Sequence, residues 1–399
     1  MASILGPELM QLSLFALAGL ACLSLLTWIV LTFFRGAFWQ VGRFNGDLAS
    51  NQQAESWPRV AVVVPARNEA GTIGRCVESL VRQNYAGEFQ IIVVDDHSED
   101  GTGQLARVAA QSAGGTGQLT VVQAEKLQPG WTGKLWALQQ GVSAAKSKRP
   151  DYFWFTDADI EHAPDTLQRL VTRAETERLN LTSLMVLLQA KTIPERLLIP
   201  AFLYFFLMLY PPQWIAEAES KTAGAAGGCV LLRREALEGI GGISAIRSEV
   251  IDDCALARTV KRSGGAIWMG LTRKSVSLRA YTSFGEIRDL IARTAFTQLK
   301  YSAVVLLVTV VGMLLTYLAP VVLTFHVQPL VWRLSLIAWA LMTLTYLPTV
   351  RFYQLSPLWA PLLPLAAAYY SYATCLSAVR YWMGRGGQWK GRAQAPAKT

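Results

Sequence analysis

The sequence predicts an α/β fold, a mostly parallel sheet flanked by helices, with apolar segments at the N-terminal and C-terminal ends that cross a membrane. Three observations predict it. Short apolar runs alternate with stretches of helical spacing between residues 59 and 156, the rhythm of a doubly wound sheet. Paired aspartates stand after strand-like runs, at Asp95-Asp96, Asp157-Ala-Asp159 and Asp252-Asp253. Stretches without charge, longer than the roughly 20 residues that span a bilayer, flank this block.

The elements follow in order. Residues 9–34 contain no charged side chain, and neither their length nor their flanks suit a cleavable signal peptide. Residues 1–36 are therefore a membrane anchor and 37–57 a polar linker. The run at 59–64 is apolar throughout, as in a parallel strand buried on both faces. Pro65 ends it, and 71–83 has helical spacing at Ile73, Val77, Leu80 and Val81. Strand 89–94, helix 101–112, strand 118–122, a helix from Lys134 to about 145, and strand 152–156 complete the alternation.

Residues 197–216 are apolar and almost long enough to span. A span there would put Asp252-Asp253 across the membrane from Asp95 and Asp157, so the segment reads as a broken helix lying in the interface, interrupted by Pro200 and Pro211-Pro212. Further apolar stretches run over 303–325, 330–350 and 358–379, within a C-terminal membrane region of 301–380 that precedes a basic tail at 381–399. The globular domain thus covers 58–300.

Composition agrees. Of 399 residues, 52% are hydrophobic and only 16% charged, too apolar for a wholly soluble chain. The net charge of +9 is concentrated beside the apolar segments, at Arg35 and Arg43 and at Arg380, Arg385, Lys390, Arg392 and Lys398. Basic flanks usually face the cytoplasm. A cytoplasmic domain with one preceding and three following spans would put the tail outside, so either one C-terminal segment is re-entrant or interfacial, or the tail breaks that rule. The Pro-interrupted stretch 355–364 is the weakest span. No basic, aromatic-interleaved stripe suggests nucleic acid. The five cysteines show neither disulfide nor zinc spacing, which suits a reducing compartment, and His97, His162 and His326 read as surface or packing residues.

Carboxylates at the C-terminal ends of strands point into the crevice where such sheets bind ligands. One pair fits a turn or helix cap; three imply a single acidic pocket suited to a metal ion and a nucleotide diphosphate. Hard cations such as Mg2+ or Mn2+ need only one or two carboxylates when phosphate oxygens and water complete the shell. Lys134 opens a helix after Pro-Gly-Trp-Thr-Gly at 129–133 and could meet diphosphate with its ammonium and the helix N-terminus.

The motifs Val-Val-Val-Pro-Ala-Arg-Asn-Glu at 62–69, Val-Val-Asp-Asp-His-Ser at 93–98, Thr-Asp-Ala-Asp at 156–159, Gly-Gly-Cys-Val-Leu-Leu-Arg-Arg at 227–234 and Ile-Asp-Asp-Cys-Ala-Leu at 251–256 resemble, in that order, glycosyltransferase family 2. With the flanking spans and the 129–134 motif, the chain looks most like the hopene-associated glycosyltransferases of bacterial hopanoid pathways. The resemblance implies a GT-A type, Rossmann-like domain. It assigns Pro65, Ala66, Arg67, Glu69, Asp95, Asp96, Lys134 and Asp157 to the nucleotide and Asp159 with Asp157 to Mg2+ or Mn2+. It makes Asp253, supported by Asp252, the general base. Gly227, Gly228, Arg293, Lys300 and Tyr301 are candidates for the acceptor or diphosphate.

What the resemblance implies is a metal-dependent, inverting glycosyltransferase, multi-pass in a bacterial cytoplasmic membrane with its catalytic domain in the cytoplasm. It would move one sugar from a nucleotide-diphosphate sugar, a UDP-sugar foremost, to a lipid hydroxyl such as that of a hopanoid. Alternatives are a processive polysaccharide synthase, or a non-catalytic lipid-binding scaffold that kept the fold. Processive relatives carry Gln-x-x-Arg-Trp before their C-terminal spans; Thr297-Gln-Leu-Lys300-Tyr301 departs from it, which favours single transfer.

Overall fold

A computed structural model describes residues 7–47, 57–384, 388–389 and 392–393. Residues 48–56 of the linker, and Arg385, Lys390 and Lys398 of the basic tail, lie outside the described residues. The chain forms two compact units.

The first unit comprises Arg43–Gln189 and Pro212–Ala280. Its sheet has eight strands: β1 (Val60–Ala66), β2 (Phe89–Asp95), β3 (Leu119–Gln123), β4 (Tyr152–Phe155), β5 (Ile160–His162), β6 (Leu181–Leu187), β7 (Val230–Arg233) and β8 (Ile267–Ser277), in the order β3-β2-β1-β4-β7-β6-β8-β5. The half from β3 to β4 is parallel, as the alternation predicts. β7 enters antiparallel between β4 and β6, and β5 lies antiparallel on β8. Four of the seven strand pairings are parallel.

β1 is buried along its whole length, which explains its unbroken apolar run. Val60, Val62 and Val64 pack on one face against Ile73, Val77 and Leu80 of helix Ile73–Val81. Helix Gly133–Ala145 covers the opposite face, close enough that a Cβ on Gly141 would sit 2.3 Å from a Val63 methyl carbon. Helix Ile73–Val81 is preceded by Thr72 at its cap position. Asn68 takes a left-handed φ of 50° and accepts from the Glu99 N–H. Register puts Ala66 beside Asp95 and Val63 beside Phe155, so the ends of β1, β2 and β4 share one edge, and the chain after each turns out of it.

The second unit comprises residues up to Gly42, Ala190–Pro211 and Tyr281–Tyr381. Among the described residues, four helices are long and apolar enough to cross a membrane, at Gln11–Phe34, Ala303–Thr324, Pro329–Phe352 and Pro357–Trp382. Ala303–Thr324 passes through a π turn at Leu314–Leu318, where Trp28 Nε1 donates to the Thr316 carbonyl. The segment expected as a broken helix over 197–216 is broken at Pro211-Pro212 but runs without interruption through Pro200. Helix Ile193–Leu209 begins at a capping box of Thr192 and Glu195, and the short helix Pro212–Ala216 belongs to the first unit. Pro211 and Pro212 bring no backbone N–H to continue the first helix. Tyr204 and Phe205 are buried, against Thr345, Tyr346, Tyr317 and Tyr370.

Candidate active site

Two turns at the ends of β1 and β2 are laced together. The Asn68, Glu69 and Ala70 N–H groups donate to Ser98 Oγ, Thr102 Oγ1 and Asp100 Oδ2, at 3.0, 2.8 and 2.9 Å. Ala66 O accepts from the Asp96 N–H at 2.8 Å, and Arg67 Nη1 donates to the Asp96 carbonyl while lying 3.8 Å from its carboxylate. Asp96 is almost fully buried. Asp95 Oδ1 accepts from the Ser98 N–H at 3.0 Å, and Oδ2 closely approaches Gly103, where a Cβ would stand 2.7 Å away. Pro65 is buried in β1, so its missing N–H falls where the strand is about to end.

The acidic centre lies beyond β4. Lys134 is the second residue of helix Gly133–Ala145, and its Nζ lies 2.9 Å from Asp157 Oδ1 and 3.2 Å from Asp252 Oδ2. Asp252 and Asp253 open helix Asp252–Arg262, where negative charge suits the helix dipole. The Gly227 N–H donates to Asp253 Oδ2 at 2.8 Å, and the Cys254 N–H donates to Oδ1 at 2.7 Å. A small cavity, lined by Pro65, Lys134, Asp157, Gly227, Asp252 and Asp253, rests on Leu135, Leu138 and Phe155. Two of the three aspartate pairs, far apart in sequence, therefore meet around one ammonium.

Charge in this centre is strongly coupled. Burial alone would lower the Lys134 ammonium, but Asp157 and Asp252 outweigh it and hold the group charged well above its ordinary range. Asp253 is pushed up to about 6 by burial and by Asp252, against Lys134 and the two N–H donors. Asp159 is pushed up to about 6 by burial and then by Asp157 and Glu69, while Arg279 pulls the other way.

Among the described residues, no group of three or more His, Cys, Asp or Glu side chains is arranged to hold a metal ion. That absence of a full cage is compatible with a hard cation carried chiefly by phosphate oxygens. The surplus negative charge that raises Asp159 marks where positive charge would be stabilised, so Asp159 and Asp157 fit such a cation.

Asp95 ends β2 and Asp96 follows it, with partners in their own turn and in the turn after β1. Gly228 is turned so that a Cβ would meet Val186, away from Asp253, and its carbonyl accepts from Thr156 Oγ1. Arg293, Lys300 and Tyr301 belong to the second unit, where Tyr301 stacks on Tyr381 at 4.4 Å and accepts from Thr297 Oγ1. Sequence reasoning passed over Arg279, because β8 was not read as a strand. The Leu278 N–H donates to the Asp159 carbonyl at 2.7 Å, which brings the next residue beside the carboxylate.

Residues 61–241 match the model of a family described as Glycosyl transferase family 2. An N-acetylglucosaminyltransferase of Mesorhizobium japonicum is 28% identical over 202 residues, 48% of this chain and 43% of that protein. A 4,4'-diaponeurosporenoate glycosyltransferase of Staphylococcus haemolyticus is 31% identical over 119 residues, 30% of this chain and 29% of that one. The chain thus spans less than half the length of these curated relatives. Among solved structures, the mannosyltransferase PcManGT from Pyrobaculum calidifontis, in complex with GDP-Man and Mn2+, matches with a TM-score of 0.54 at 18% identity, over 91% of this chain and 99% of that one. This likeness bears on the fold, a GT-A-like α/β architecture.

Proposed function

We propose that this chain, which carries a glycosyltransferase family 2 domain at residues 61–241, is a membrane-anchored, metal-dependent, inverting enzyme. It moves one sugar from a nucleotide-diphosphate sugar, a UDP-sugar in the first instance, to the hydroxyl of a lipid. The observation that carries this reading is the meeting of Asp157 and Asp252 on Lys134, with Asp253 held beside them by Gly227. A cation, two carboxylates and an oriented base within one cavity suit displacement at a carbon bearing an anionic leaving group.

In this mechanism Asp253 takes the proton of the acceptor hydroxyl as its oxygen attacks the anomeric carbon. The bond from that carbon to the diphosphate breaks on the opposite face, the electron pair leaves with the phosphate oxygen, and the configuration inverts. Gly227 and Cys254 N–H groups fix which way the Asp253 carboxylate points. Lys134 and the N-terminus of its helix face the departing charge. Mg2+ or Mn2+, held by Asp159 and Asp157, would neutralise the same charge. Asp95, Asp96, Arg67 and Glu69, on the two interlaced turns, bind the nucleoside.

The four apolar helices support a multi-pass protein of a bacterial cytoplasmic membrane, and an acceptor that resides there. A hopanoid hydroxyl is the acceptor favoured by the motif at 129–134. Lys300 and Tyr301, in place of the arginine and tryptophan of processive enzymes, favour single transfer over polymer extension. The test is release of UDP from a panel of UDP-sugars by the purified full chain, with Mn2+ and with chelator. Metal-dependent release that is lost in Asp253→Asn supports the reading; no release from any nucleotide sugar overturns it.

A further inference from the structure

A buried polar relay beneath the Asp157–Asp159 turn has no part in the chemistry above. His162 of β5 is 3% exposed, and both of its ring nitrogens are engaged. Nε2 lies 2.8 Å from Thr156 Oγ1, and Nδ1 lies 2.8 Å from Ser275 Oγ of β8. Thr156 Oγ1 also donates to the Gly228 carbonyl at 2.9 Å. A hydroxyl carries one proton, and a carbonyl can only accept. With its proton committed to Gly228, Thr156 must accept from His162, which places the imidazole proton on Nε2. Nδ1 is then the acceptor for Ser275. The direction of every bond is fixed, from Ser275 through His162 and Thr156 to Gly228.

We infer that His162 is a positioning residue that locks the turn carrying Asp157 and Asp159 against the turn carrying Gly227, and thereby sets where Asp253 stands relative to the cation-side carboxylates. This rests on the transferase reading given above. Thr156 is joined directly to Asp157, and Gly228 directly to Gly227, whose N–H holds Asp253. One hydroxyl thus spans both halves of the acidic centre, and His162 fixes that hydroxyl's orientation. Burial lowers the imidazole to about 3, so the relay keeps its neutral form throughout the working range. Trp154 packs edge-on against the ring at 4.7 Å, and the His162 backbone N–H donates to Ser79 Oγ, which holds the strand from which the ring projects. Groups that orient ligating carboxylates act through directed contacts of this kind.

The chain has three histidines, so 15N labelling of histidine in the full-length protein resolves each imidazole. The expected spectrum contains one neutral, Nε2-protonated ring that does not titrate between about pH 5 and 8, and whose signals vanish in His162→Gln. An Nδ1-protonated or titrating His162 overturns the relay. Mn2+ affinity in the presence of UDP, read from the paramagnetic resonance of free Mn2+, tests its consequence. Thr156→Val and His162→Leu should weaken binding by about 10- to 100-fold, the usual effect of losing a group that orients a metal ligand. Thr156→Ser, which keeps the hydroxyl, and His162→Gln, which keeps a donor at the Nε2 position, should restore it. Folded Val and Leu variants that bind Mn2+ like wild type overturn the inference. Should His162→Leu fail to fold, the Thr156 pair and the wild-type spectrum decide. A wild-type chain that transfers no sugar overturns the transferase reading, and the imidazole spectrum still decides the relay.

Discussion

The Gly227 N–H donates to Asp253 Oδ2 at 2.8 Å, so a backbone turn aims this carboxylate of the acidic centre. Asparagine matches this shape but cannot take up a proton. Asp253→Asn is expected to lower kcat by about 10²- to 10⁴-fold, the span usual for a general base. The dissociation constant of UDP, measured by calorimetry, should stay near wild type, since the proposed role of Asp253 is toward the acceptor rather than the nucleotide.

The acid limb of the pH profile should report the same residue. Burial and Asp252 raise Asp253 to about 6, and only its ionised form can accept a proton. With donor and Mn2+ saturating, kcat should therefore fall about tenfold per unit below about pH 6 and level off above it. A raised carboxylate contributes stability that is present below the ordinary carboxylate range and is lost as pH rises through about 6. Asp159, raised to about 6 as well, follows the same sign. A cation offsets that loss, so Mn2+ with UDP should raise Tm more at about pH 7.5 than at about pH 5. Calorimetric scans at both pH values check this.

Removing the ammonium that joins Asp157 to Asp252 leaves two carboxylates facing each other. Lys134→Met keeps the stem and deletes the charge. Breaking a fully buried pair costs about 3–5 kcal/mol. The loss here should be smaller, because the Asp157 side chain is 36% exposed and solvent screens it. The KM for the nucleotide sugar should rise together with a fall in Tm, and Lys134→Arg should recover stability better than turnover.

Gly141 sets how closely helix Gly133–Ala145, and with it Lys134, approaches β1. A Cβ there would meet Val63 Cγ1 at 2.3 Å and Val94 Cγ2 at 3.2 Å, both in the packed sheet. Gly141→Ala should destabilise by about 1–3 kcal/mol in denaturant melts, as overpacked cores do. Helix propensity, which favours alanine, would predict the reverse sign.

The parallel half of the sheet was legible because strands buried on both faces read as unbroken apolar runs, most clearly at 61–64. The antiparallel half was not. β5 is three residues long, β6 interrupts its apolar residues with Thr182 and Ser183, and β8 carries Arg273 and Lys274 midway. Their pairings join residues as distant as His162 and Ser275, which no local pattern announces. The aspartate pairs at 95–96 and 157–159 stood out because each stands at the end of a strand; Asp252-Asp253, expected after a strand-like run at 249–251, instead opens a helix with no strand before it. The bond from Lys134 to Asp157 was not legible, since only the folded edge of the sheet brings a helix start to the end of β4. Thr156 and His162 gave no signal either; a lone histidine gains its meaning from the two hydroxyls that the fold sets on either side of it.

The most direct measurement incubates membranes containing the full chain with Mn2+ and each of several radiolabelled nucleotide sugars, then extracts the lipids. The account predicts label in the organic phase from one donor, absent from membranes carrying Asp253→Asn. Equal labelling by both proteins, or label found solely in water-soluble polymer, would contradict it.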